Sequence, residues 1–135
     1  MEKRSCIECE HIYVKKSTSW IYRVLVAFDQ LGNALADGNP DATISARVGY
    51  HSITVKGRTR YYWKLMERII NFSFYPVDGK DHCLKSYCAD VDEKFMLGSD
   101  VARVFLSFLI IPFSLVIALL LYPICFLFPS LKNNY

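Results

Sequence analysis

Residues 104–128 read VFLSFLIIPFSLVIALLLYPICFLF. These 25 consecutive residues contain no charged side chain, and most of them are Leu, Ile, Val or Phe. A helix of this length spans ~38 Å at ~1.5 Å per residue, more than the ~30 Å hydrocarbon core of a bilayer. Buried helices of soluble proteins seldom contain more than ~14 unbroken apolar residues. The stretch therefore predicts a transmembrane helix.

The residues that flank this stretch are typical of a membrane helix. Ser99 or Asp100 supplies an N-cap, and Asp100 lies where the helix dipole favours a negative charge. Arg103 lies one turn further on and can extend its guanidinium back towards the headgroups. We therefore assign residues 99–129 to a transmembrane helix and residues 130–135 to a short tail.

Composition limits the remaining possibilities. The chain has 135 residues, with 16 Lys and Arg against 13 Asp and Glu, and its formal net charge is +3. The part before the apolar stretch is long enough for one small domain. The near balance of charge excludes the concentrated basic face that nucleic-acid binding normally requires. We interpret the one local excess of basic residues as a solvated or membrane-facing stretch: Lys56, Arg58, Arg60, Lys64 and Arg68.

The basic residues beside the apolar stretch predict its orientation. Residues 1–19 lack the apolar core of a signal peptide, so we expect an uncleaved N-terminus. Lys94 and Arg103 precede the stretch, whereas only Lys132 follows it. By the positive-inside rule, this predicts a single-pass protein with a cytoplasmic N-terminal domain and an external tail.

The predicted fold class is all-α, a small helical domain of about four helices (residues 17–98) followed by one C-terminal transmembrane helix. Apolar residues in the domain recur at the three- and four-residue spacing typical of helices. We expect helices over residues 20–36, 59–75 and 81–94, and a short helix capped by Asp41.

The first helix carries an apolar stripe that we expect to face the core, although a stripe of this kind also suits a membrane surface. The second and third helices are expected to complete the same core. The predicted core residues are Val24, Leu25, Phe28, Leu31, Ile44, Val48, Leu65, Ile69 and Phe72.

Residues 1–16 form an N-terminal tail in which Cys6, Cys9 and His11 have the spacing of half a zinc site. The other ligands would come from His82, Cys83 or Cys88, far outside the usual loop of a zinc finger. We therefore expect a reduced tail without a cofactor and keep a zinc-binding module as a distant alternative. An odd count of five cysteines argues against a disulfide framework and favours a reducing compartment.

His82 and Cys83 are the strongest candidates for catalysis, because a thiol nucleophile needs an imidazole within hydrogen-bond reach. Neighbouring residues on a helix, however, point ~100° apart. We therefore predict that neither residue is catalytic and that the protein is not an enzyme.

Three stretches resemble a family of small proteins of no established activity encoded by tailed bacteriophages and prophages of proteobacteria. They are VLVAFDQLGNAL (24–35), DATISAR (41–47) and Asp81-His82-Cys83. The resemblance covers residues 20–90 and leaves out the CxxC segment and the apolar tail. It implies a phage context, with the bacterial inner membrane as the location, and no particular mechanism.

These observations favour a non-enzymatic, membrane-anchored accessory protein that acts as an interaction module at the host inner membrane. Its partners would be the lipid bilayer and either a host envelope protein or a second copy, with no nucleic acid. The alternative is a membrane-active lysis protein of the holin type, in which the apolar helix oligomerises. A single span behind a substantial domain favours the first interpretation.

Overall fold

A computed structural model describes Cys9 and residues 20–131, with the backbone alone at 21, 22 and 131. This part of the chain is all-helical, as predicted, and its last α-helix is the long apolar one. The elements are α1 (Trp20–Leu35), α2 (Ile44–Thr54), α3 (Arg58–Asp78), α4 (His82–Ala89), α5 (Asp100–Leu127) and a 3-10 turn (Pro129–Leu131).

The start of α5 matches its prediction, whereas the start of α2 does not. Ser99 caps α5, because its hydroxyl accepts a hydrogen bond from the Ala102 amide at 3.2 Å. Helix α2 is capped by Thr43, whose hydroxyl accepts from the Ala46 amide at 3.1 Å. The prediction of Asp41 as N-cap is therefore wrong.

Helix α4 is shorter than predicted, since it ends at Ala89 instead of residue 94. The next residue, Asp90, directs its carboxylate to α2, where it accepts a hydrogen bond from the Thr43 amide at 3.3 Å. Residues 90–99 then form a connector that leads back across the domain to α5.

Helix α3 is central to the packing, with α5 on one side and α2 and α4 on the other. Helices α2 and α4 approach closely at Gly49, where a β-carbon would lie 2.3 Å from the carbonyl oxygen of Cys83. Glycine is therefore the residue that allows this contact. The fully or nearly fully buried apolar core consists of Ala36, Val48, Trp63, Met66, Ile70, Cys83, Leu106 and Ile110.

The predicted core is confirmed at Val48, and Ile44 and Ile69 pack against its edge. Val24 is half-buried. The prediction is wrong for the residues whose side chains are exposed, because α1 and α3 turn other faces to the core. These are Leu25, Phe28, Leu31, Leu65 and Phe72.

Arg47 joins α1, α2 and the connector, and its side chain is fully buried. Its Nη1 donates hydrogen bonds to Asn33 Oδ1 at 3.0 Å and to the Ala36 carbonyl at 2.9 Å. Its Nη2 donates to the Leu97 carbonyl at 3.2 Å. These bonds pair both terminal nitrogens of the buried guanidinium with neutral oxygens and help to fix the face that α1 turns to the domain.

Candidate functional site

Helix α5 has most of its surface exposed along its whole length. It is the one helix in residues 20–131 that is long and apolar enough to cross a membrane, with a mean hydropathy of 2.9. Contiguous exposed apolar surface on this scale marks an interaction site. The exposed apolar side chains of α5 include Val104, Phe105, Phe108, Ile111, Phe113, Leu115, Val116, Leu119, Leu120 and Phe126.

One edge of α5 is covered by the domain. Four of its buried side chains recur at every fourth residue, which places them in one row along the helix. The row faces α3, the helix with which α5 makes its most extensive contact. Its members are Ala102, Leu106, Ile110 and Ser114.

The contact between α3 and α5 is anchored by a tyrosine near each end. The Tyr62 hydroxyl donates to the Arg103 carbonyl at 2.7 Å and accepts from the Ser107 hydroxyl, whose oxygen lies 3.2 Å away. Burial raises the pKa of Tyr62. At the far end, the Tyr122 hydroxyl donates to the Phe72 carbonyl at 2.9 Å. The two helices therefore run side by side in the same direction.

The bond from Tyr122 replaces a hydrogen bond that α3 lacks. Pro76 lies inside the last turn of α3 and has no amide hydrogen for the carbonyl four residues earlier, which is that of Phe72. The Tyr122 hydroxyl supplies the missing donor, and the Phe72 and Tyr122 rings lie 5.3 Å apart. The helix thus continues through Pro76 to Asp78, beyond its predicted end at residue 75.

A groove of about 380 Å³ runs between α3 and the middle of α5. Arg68 lines it from α3, and Ser114, Leu115 and Ala118 line it from α5. Ser114 lies near the midpoint of α5. The α3 lining of this groove therefore includes an exposed cationic residue, Arg68, near the middle of α5.

Helix α1 packs through its polar side. Asp29 Oδ1 accepts a hydrogen bond from the Ile44 amide at 3.1 Å, and Gln30 Nε2 donates to the Asp41 carbonyl at 3.0 Å. Asn33 Nδ2 donates to the carbonyls of Asn39 and Ala42, both at 2.9 Å. Burial raises the pKa of Asp29 to about 6, against the lowering effect of the Ile44 amide.

The opposite side of α1 is apolar and points outward. It forms a row that we call the apolar stripe, whose members are between 54% and 68% exposed: Leu25, Phe28, Leu31 and Leu35. This arrangement is the reverse of an ordinary surface helix, which buries its apolar side. The stripe therefore faces whatever surrounds the protein.

Helix α3 adds a second exposed face beside α5. Residues spaced by three, four and seven positions share one side of a helix. On that basis we define the aromatic face of α3 as Tyr61, Leu65, Phe72 and Tyr75, all more than half exposed. The exposed Arg68 lies on the same side of the helix.

Helices α2 and α4, which we call the opposite layer of the domain, expose little apolar surface. Among the exposed large apolar side chains of the described residues, α2 contributes only Ile53 and α4 contributes none. The exposed apolar surface thus lies on α1, α3 and α5, together with Met96 and Leu97 of the connector.

His82 and Cys83, the candidates for catalysis, point in different directions as predicted. His82 pairs through Nδ1 with Asp78, and its ring stacks on Phe74 at 3.9 Å between centroids. The Cys83 thiol is buried against α3, 4.0 Å from the Glu67 carbonyl. Burial raises the pKa of this thiol well above its usual value, which disfavours the thiolate that nucleophilic attack requires.

The expectation of reduced cysteines is wrong for Cys9 and Cys88, which form a disulfide although they are 79 residues apart in sequence. An odd number of cysteines excludes complete pairing but not one bond. The pairing removes Cys9 from the proposed ligand set, while Cys6 and His11 lie outside the described residues. Among the residues that are described, no three His, Cys, Asp or Glu side chains are grouped as metal ligands.

The chain matches no protein-family model, no curated protein and no solved structure. The resemblance to phage proteins therefore stays a prediction.

The sequence predicted the exposed apolar helix α5 but not the exposed apolar faces of α1 and α3. The apolar spacing in α1 predicted a stripe, but the stripe faces outward and not toward the core.

Proposed function

We propose that this protein is a non-enzymatic accessory protein that α5 anchors to a membrane, where the domain acts as an interaction module. The observation that carries the proposal is the exposure of α5, most of whose apolar side chains are uncovered away from the edges that contact α3 and α1. Each exposed Leu or Phe that enters lipid contributes favourably to insertion. The resemblance to phage and prophage proteins supports the bacterial inner membrane as the location.

The non-enzymatic assignment is supported by the geometry of the two catalytic candidates. His82 is held by Asp78 and Phe74, whereas the Cys83 thiol is enclosed between α3 and α4. Neither side chain activates the other.

Fractionation tests the proposal. The full-length protein should remain in the membrane pellet after alkaline carbonate treatment. The paired variant Val116→Arg/Leu119→Arg places two cations on the exposed surface of α5 and should shift the protein to the supernatant, because charged side chains are costly in the hydrocarbon region. Asp92→Arg, in the connector, is the matched control and should stay in the pellet. Complete release of the unmodified protein by carbonate would overturn the proposal.

A dye-release assay separates this proposal from the lysis alternative. An accessory protein held by its anchor should leave vesicles of phosphatidylethanolamine and phosphatidylglycerol intact. Rapid release of a trapped dye at low protein-to-lipid ratios would favour a membrane-active lysis protein instead.

A further inference from the structure

We propose that α1, α3 and α5 enter one leaflet of the bilayer together, so that the domain lies on the lipid and α5 does not cross it. This inference rests on the proposed membrane anchoring. The partner of this surface is lipid, which contacts the apolar stripe of α1, the aromatic face of α3 and the exposed faces of α5.

The contact between α1 and α5 lies within the apolar run. A β-carbon on Gly32 of α1 would lie 3.8 Å from Cδ1 of Leu109. Leu109 follows Arg103 by six residues, or ~9 Å along the helix axis at ~1.5 Å per residue. If α5 enters lipid from Arg103 onward with this packing intact, α1 enters with it. The stripe then meets acyl chains instead of water.

The contact between α3 and α5 limits how α5 can be placed. In a crossing helix, the middle of α5 near Ser114 would lie at the bilayer centre, and Arg68 shares a groove with that residue. The neighbouring Lys64 and Glu67 form an ion pair with the charged atoms 2.9 Å apart. Charged groups at the bilayer centre are strongly disfavoured. Crossing with this packing intact would therefore place Arg68 near the bilayer centre at a large energetic cost.

A position in one leaflet relieves this conflict, because the flexible Arg68 side chain can then extend to the nearby headgroups. The Glu67 carbonyl and the Asn71 side chain contact Cys83 of α4, so this side of α3 borders the layer that exposes little apolar surface. Helices α3 and α5 together therefore have a polar side and an apolar side. Such a unit lies along an interface with its apolar side buried.

The charges at this surface favour lipid over a second copy of the chain. Arg58 and Arg68 are exposed, and their spacing from Leu65, seven and three residues, places them on the aromatic side of α3. They suit a layer of anionic headgroups. A symmetric dimer through the same surface would bring these cations together and would be opposed by their repulsion.

Tryptophan quenching tests the inference in the full-length chain. Phe28→Trp places a reporter in the stripe, and Ile53→Trp places the matched reporter on α2; both carry Trp20→Phe, and the fully buried Trp63 gives a constant background. The proteins are reconstituted with phosphatidylethanolamine and phosphatidylglycerol vesicles that contain phosphatidylcholine brominated on its acyl chains. We expect strong quenching at position 28 and little at position 53. Vesicle-bound protein with no quenching at position 28 would overturn the inference.

Protease protection provides the second readout. Epitope tags at the two ends of the chain should be digested together from one side of sealed vesicles. Protection of one tag only would show that α5 crosses the bilayer. That result would contradict this inference but not the proposed membrane anchoring. If the protein does not float with vesicles, both proposals are wrong. If position 28 is not quenched and the protein instead forms cross-linked dimers, the surface binds a second copy of the chain.

Discussion

Arg47 Nη1 donates a hydrogen bond to the side-chain oxygen of Asn33 across 3.0 Å, and both side chains are closed to solvent. Since Asn33 belongs to the polar side of α1, this bond holds that side against the domain. The apolar stripe, including Phe28, is turned outward as a result. This buried pair therefore helps to determine which surface of α1 the protein presents.

Arg47→Lys should destabilise the domain by at least ~2 kcal/mol. A lysine ammonium cannot reproduce the fork that bonds Asn33, Ala36 and Leu97 at once, and hydrogen bonds to charged groups contribute ~1.5–3 kcal/mol each. Thermal unfolding in detergent micelles measures the loss. The matched control is Arg60→Lys, an exposed residue of α3, which should change stability very little. Equal effects at both positions would contradict the structural role of Arg47.

Asp29 and His51 should make opposing contributions to the pH dependence of stability. Burial lowers the pKa of His51 from 6.5 to about 4, so the unfolded chain takes up the proton first and His51 destabilises the fold as pH falls from 6.5 to 4. Burial raises the pKa of Asp29 from 3.8 to about 6, so its stabilising contribution is present below pH 3.8 and is lost as pH rises through 6.

Single variants should separate the two contributions. We expect a nearly flat stability profile between pH 4 and 6 in the unmodified protein, because the slopes have opposite sign in that window. Asp29→Asn should leave the His51 effect, a loss of ~3 kcal/mol on going from pH 7 to pH 4. His51→Gln should leave the Asp29 effect, a decrease in stability as pH rises to 6. Parallel profiles in all three proteins would refute the assignment.

Gly49→Ala should destabilise the protein by ~1–3 kcal/mol, the usual cost of overpacking. Its new methyl group would meet the Cys83 backbone carbonyl at 2.3 Å, which cannot move without shifting α4. Gly32→Ala is the matched control, since a methyl there meets the flexible end of Ile44 at 3.1 Å. Both changes add the same helix propensity. Unfolding by denaturant in micelles should therefore rank Gly49→Ala as clearly less stable than Gly32→Ala.

Leu106→Ala should destabilise the protein by ~2–5 kcal/mol, because the side chain is fully buried between α5 and the core. Leu119→Ala removes the same atoms from the same helix at a position that is 67% exposed, and should change stability by no more than ~0.5 kcal/mol. The comparison is made by thermal unfolding in one detergent. Similar losses at both positions would mean that α5 does not pack on α3 in this register.

Cys88→Ser should destabilise the protein by up to ~4 kcal/mol, because the disulfide with Cys9 closes a large loop in the unfolded chain. Alkylation before and after reduction, followed by mass spectrometry, should show that Cys9 and Cys88 become reactive only after reduction. Such a bond persists in an oxidising compartment. Labelling of both thiols without reduction in membranes isolated under alkylating conditions would contradict the bond.

The elements with strong local signals were predictable from the sequence. The uncharged stretch of α5 is far longer than a core helix needs, and Ser99 precedes it as a cap, so both were identified. Val48 was assigned to the core because the spacing in α2 leaves one narrow apolar side.

The orientation of α1 was not predictable, because periodicity shows that a stripe exists but not what covers it. The orientation of α1 depends on the hydrogen bonds of Asn33 and Asp29. Their partners in residues 39–44 come into place only in the folded chain. The bond from Cys9 to Cys88 was missed for the same reason, since a separation of 79 residues leaves no local signal.

The Tyr122 hydroxyl on the Phe72 carbonyl keeps α5 alongside α3, and this has a consequence for the shape of the membrane. In the proposed position, three helices enlarge one leaflet relative to the other, and a bilayer relieves such an imbalance by bending. Interfacial helices accordingly bind in a curvature-dependent way. The protein should therefore accumulate on small, highly curved vesicles and act on the membrane as a wedge.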